Sequence, residues 1–156
     1  MTKTKIKPLP LETLLLMLKK SVGTTLFQTL YMEVRGHKKD VTEKGNLSCA
    51  FYVSSVLAIF GLIDRLHSTV SGTEKALIEA GWRKTTVLKP GVILIWGKAK
   101  KSTHDHLHIG FYLNDNKAIS NIWQKRVPQK HHFTFGKEGS DTFRSILAMY
   151  YHPSLK

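Results

Sequence analysis

The chain has 156 residues, 42% of them hydrophobic and 22% charged. That is one domain's length with enough apolar side chains to bury a core, which excludes a disordered tail or a fibre. Lys plus Arg number 24 against 11 Asp plus Glu, a formal net charge of +13. The single cysteine, Cys49, excludes an internal disulfide framework and a multi-cysteine zinc site, and it fits a reducing compartment.

Pro8 and Pro10 precede a helical pattern at Leu11, Leu14, Leu15 and Leu18, the i, i+3, i+4, i+7 spacing of an amphipathic helix. The apolar run Leu14–Leu18 lies between Glu12 and Lys19-Lys20, far short of the ~20 residues a spanning helix needs. Glu12 also interrupts what Lys3, Lys5 and Lys7 would start as an export signal, so the expectation is a cytoplasmic protein with no membrane span. Leu26 to Val34 fits helix or strand, Arg35-Gly36-His37-Lys38 reads as a turn, and Asp40 to Asn46 as polar loop. These first 40 residues form an extension packed on a main domain over residues 41–156.

Cys49 to Phe60 is apolar nearly all round except at Ser54 and Ser55, the pattern of a buried helix. Asn46 and Ser48 are its candidate caps and Gly61 its stop. Ser71 and Glu74 have capping-box spacing for a second helix ending at Gly81. Lys89-Pro90-Gly91 is a turn into Val92–Trp96, a strand buried on both faces. His108–Leu113 and Lys117–Trp123 flank Asn114-Asp115-Asn116 as a hairpin. His132–Phe135 reads as a strand, and Ile146–Tyr151 as strand or helix. Helices first and hairpin-linked strands after them predict an α+β fold with a mostly antiparallel sheet.

Cys49 falls in the first turn of the buried helix, where the dipole and free amides favour a thiolate and can hold an oxyanion. A nucleophilic thiol needs a base. Of eight histidines, His104, His106 and His108 share one face if extended. That spacing raises the question of a metal, but no thiolate lies near them and no helical His pair is present, so neither metal nor cofactor is expected. His108 leads into the apolar Ile109-Gly110-Phe111-Tyr112 and can turn inward, whereas His104 and His106 lie in a polar approach. Asp105 reads as a partner for nearby lysines, and His131-His132 as a surface pair.

Three segments carry a resemblance. Ser48-Cys49-Ala50-Phe51-Tyr52-Val53, Leu88-Lys89-Pro90-Gly91-Val92-Ile93-Leu94 and His108-Ile109-Gly110-Phe111-Tyr112-Leu113-Asn114-Asp115 resemble, in order, three motifs of the NlpC-type papain-like cysteine peptidases. These are the nucleophile helix, the strand entry and the catalytic-histidine strand. Ser48 and Ala50 stand where that family usually has Asp and Ser, and its upstream Tyr-x-Trp-Gly-Gly segment has no match. The resemblance covers about residues 45–125. It implies a papain-like fold and hydrolysis of an amide bond, as in cell-wall peptides, with Cys49 as nucleophile and His108 as base.

A third group should orient the imidazole. Motif spacing from His108 selects Ser120. A two-residue Asp115-Asn116 loop instead puts Leu113 opposite Ala118 and Gly110 opposite Asn121, which would bring Asn121 to the face of His108. Asn121 also offers a carbonyl acceptor, and the expected site is Cys49, His108 and Asn121. The basic surface would suit an acidic peptide substrate. For the hydrolase, any polyanion binding is expected to be weak and without sequence preference; the contrasting expectation is a non-catalytic or nucleic-acid-associated basic module that keeps the papain-like fold.

Overall fold

The computed structural model describes residues 2–100 and 106–156, so His104 and Asp105 lie outside the described residues. It is an α+β fold. In chain order the elements are α1 (Pro10–Lys20), β1 (Tyr31–Val34), β2 (His37–Asp40), α2 (Cys49–Ile59), α3 (Val70–Glu79), β3 (Arg83–Lys84), β4 (Ile93–Ala99), β5 (His108–Asn114), β6 (Lys117–Ile122), β7 (Val127–His132) and β8 (Arg144–Tyr151). Strands β1 and β2 form a hairpin, and the others form a six-stranded antiparallel sheet ordered β3-β8-β4-β5-β6-β7.

Helix α1 starts with Pro at its first position and buries Leu14 and Leu18 completely. Both join the core that α2 shares with one sheet face, made by Ile93, Ile95, Ile109, Phe111 and Ile119. The residues before position 41 therefore share a core with those after it. Helix α2 is buried along most of its length, and its internal Ser54 is satisfied: the hydroxyl donates to Ala50 O at 2.7 Å and accepts the His67 N–H at 2.7 Å. The opposite sheet face has its own smaller core of Val92, Leu94, Trp96, Tyr112 and Ala118, covered by Phe133 and Phe135. Strands β4 and β5 are thus covered on both faces, as the unbroken apolar run Val92–Trp96 implies.

Four sequence expectations need correction. Helix α3 is capped by Thr69, whose Oγ1 accepts the Gly72 N–H at 3.0 Å, and not by Ser71. Residues 37–40, read as turn and loop, pair as β2, because Arg35 and Gly36 turn the chain tightly with φ of 52° and 78°. The strand expected at His132–Phe135 lies earlier, over Val127–His132; Phe135, at φ 62°, then folds the segment back over the second sheet face. The fourth concerns the β5–β6 register. The two-residue turn is present, with Asn114 opposite Lys117, but Tyr112 rather than Leu113 faces Ala118. Leu113 is the extra residue of a bulge, and one extra residue reverses which side chains share a face. Ser120 therefore falls opposite Gly110, and Asn121 opposite Ile109. The ambiguous segment 146–151 belongs to a strand, β8. Among the described residues no helix is long and apolar enough to cross a membrane.

Candidate functional site

Cys49 is the first residue of α2, and the Ser48 side chain does not cap that end of the helix, so no cap side chain among the described residues occupies the first-turn N–H groups. The helix packs on β5 and β6, which brings the sulfur to the start of β5. There the backbone N–H of Ile109, the residue after His108, points at Sγ together with those of Cys49 and Ala50. Cys49 and His108 line one cleft with Asn121, Trp123 and Arg144. Cys49 is partly covered, and it borders both this cleft and a groove lined by Ser68, Thr69 and Val70.

Electrostatics at the pair run against an ion pair at rest. Burial pushes the Cys49 thiol up, and this outweighs the converging amides and the Arg144 guanidinium. Burial also holds the His108 imidazole well below its usual range, helped by the positive charge of Arg144 and by His131. Thiol and imidazole are therefore both neutral near pH 7. The sequence expectation of a lowered thiol pKa at the helix start does not hold, because desolvation exceeds the effect of the amides.

The group that holds His108 is Ser120, not Asn121. His108 Nε2 lies 2.8 Å from Ser120 Oγ. Ser120 is fully buried, and its Oγ also lies 2.7 Å from His131 Nε2. The His108 ring packs against Trp96 and Phe135, with centroids at 5.5 and 5.4 Å. This crowding requires Gly110: a Cβ there would meet Ile119 O at 2.5 Å and Ser120 Cβ at 2.7 Å.

Asn121 sits on the Cys49 side of the sheet. Its Nδ2 donates to Gly45 O at 2.9 Å, which fixes the amide's orientation, and its Oδ1 is buried with no partner among the described residues. A buried acceptor left unpaired costs about 1–3 kcal/mol, and Asn121 is one of the residues that line the cleft. Arg144, at the start of β8, is held by a 2.9 Å bond from Nη1 to Gly97 O and lies over the Phe135 ring at 5.4 Å.

Sequence reasoning missed Arg144, for which the pattern carried no signal, and took His131 for a surface residue. His106 does border the cleft, but among the described residues no group of three His, Cys, Asp or Glu side chains is placed to hold a metal. No protein-family model and no curated protein matches the chain.

Proposed function

We propose that the protein is a cysteine hydrolase of papain-like type that cleaves an amide bond through an acyl-enzyme. The observation that carries this reading is that Cys49, at the start of a buried helix, and the Ser120-held His108 both line one cleft. With His108 Nε2 engaged by Ser120, Nδ1 is the nitrogen left to act as base.

His108 Nδ1 takes the thiol proton as Cys49 Sγ attacks the carbonyl carbon, so charge develops only as the bond forms. The first-turn amides of α2 donate to the oxyanion. The tetrahedral adduct collapses as imidazolium returns the proton to the leaving amine. Water, deprotonated by the same nitrogen, then releases the acid. Asn121 Oδ1 accepts an N–H of the bound substrate, which relieves its missing hydrogen bond. The fixed Arg144 cation and the net charge of +13 favour an acidic substrate, such as a cell-wall peptide with free carboxylates. The lone cysteine suits a reducing, cytoplasmic compartment.

Turnover of a library of acidic peptides and activated esters tests the reading. Cys49→Ala should abolish hydrolysis without loss of fold, and Asn121→Leu should raise KM more than it lowers kcat. Turnover undiminished in Cys49→Ala would refute it. The charge favours a second reading, a non-catalytic polyanion-binding module, which predicts no Cys49-dependent turnover.

A further inference from the structure

His108 does not end its hydrogen-bond chain at Ser120. The chain continues from Ser120 Oγ to His131 Nε2 at 2.7 Å and from His131 Nδ1 to the His132 carbonyl oxygen at 2.8 Å. The last link sets the direction of all the others. A carbonyl can only accept, so His131 Nδ1 carries a proton. In a neutral ring Nε2 is then an acceptor, and the Ser120 hydroxyl must donate to it. The Ser120 oxygen is left to accept, which places a proton on His108 Nε2 and leaves Nδ1 with a free lone pair.

We propose that His131 is a positioning residue that acts through Ser120 to lock His108 in the tautomer whose Nδ1 can accept the Cys49 proton. This rests on the hydrolase reading only for its use; the direction of the chain stands on the hydrogen bonds and on a neutral His131 ring. The sequence offers no short route to such a pair, because Ser120 and His131 meet only when β6 and β7 align Ala118 with His131 and Ser120 with Gln129.

His131 is built to stay neutral. Its ring stacks on Phe135 at a centroid distance of 3.9 Å. Burial pulls its pKa down to about 4, its bond to His132 O opposes this, and Arg144, His132 and Lys117 add positive charge around it. A protonated His131 would donate from both nitrogens and turn the Ser120 hydroxyl toward His108, reversing the tautomer.

Two-bond ¹⁵N–¹H spectra of the folded protein read imidazole tautomers without substrate. His108 should carry its proton on Nε2 and His131 on Nδ1; a His108 proton on Nδ1 in the unmodified protein would overturn the proposal. In His131→Phe, which can keep the stack on Phe135 but lacks the acceptor, His108 should gain the Nδ1–H form. Acylation of Cys49 by 4-nitrophenyl acetate should slow at least about tenfold. His131→Gln, with an amide N–H for His132 O and an oxygen for Ser120, should restore much of both. An unchanged tautomer and rate in a folded His131→Phe would also overturn it. If the tautomers are as stated but Cys49 is inert, the chain stands and the hydrolase reading fails.

Discussion

Gly110→Ala tests the packing that brings Ser120 to His108. The added Cβ would sit 2.5 Å from Ile119 O, 2.7 Å from Ser120 Cβ and 3.1 Å from Trp96 Cζ3. The first is a backbone atom inside a ladder and the last belongs to a fully buried ring, so neither can swing aside. Overpacking of this kind costs about 1–3 kcal/mol, and relief of glycine's unfolded-state entropy returns about 0.4–1 kcal/mol. A net loss of about 1–2 kcal/mol is expected, read as a Tm lower by about 2–8 °C for a chain of this size. Gly97→Ala is the matched control. Gly97 lies in the neighbouring strand β4, and its Cβ would meet only the Leu147 side chain, at 3.6–3.7 Å. That variant should unfold within about 0.5 kcal/mol of the unmodified protein, or be slightly more stable. Equal midpoints for the two variants in urea and thermal unfolding would refute the packing argument.

Other consequences are open to direct assay. Because burial raises the Cys49 thiol and lowers the His108 imidazole, iodoacetamide labelling should show no neutral-pH plateau and should climb only toward alkaline pH; a plateau below pH 7 would reveal a resting ion pair. The lowered pKa of His131, about 4, sets a sign for acid stability. The unfolded chain takes up a proton near pH 6.5 that the folded one refuses until about pH 4, so stability should fall across that window. The loss reaches about 3 kcal/mol from this residue, and His131→Gln should flatten the slope; identical slopes would contradict it. Nucleic-acid binding, measured by filter retention, should be weak, lost as salt rises and unchanged by Cys49→Ala. Tight sequence-selective binding at high salt would favour the polyanion-binding reading.

The fold class was legible because its signals are local. The all-apolar Cys49–Phe60 segment, the Leu11–Leu18 spacing and the Val92–Trp96 run each name an element without reference to the rest of the chain. The β5–β6 turn was legible too, but the bulge at Leu113 was not. No turn residue announces it, and it moves Asn121 off the face that a plain two-residue hairpin would give it. The orienting hydrogen bond therefore passes to Ser120, the residue that motif spacing alone selects. Arg144 and His131 reach the site only through strand pairing and the turn at Phe135, which no periodicity in one sequence encodes.

The hydrolase reading requires Cys49 to be a nucleophile activated by His108. Intact-mass spectrometry of the protein after brief exposure to 4-nitrophenyl acetate at pH 7.5, with the adduct mapped by peptide digestion, tests it most directly. A single acetyl group is expected on Cys49, none in Cys49→Ala, and formation at least about 100-fold slower in His108→Ala, the usual contribution of a positioned base. Acetylation of Cys49 at the same rate in His108→Ala, or acetyl groups only on lysines, would contradict it.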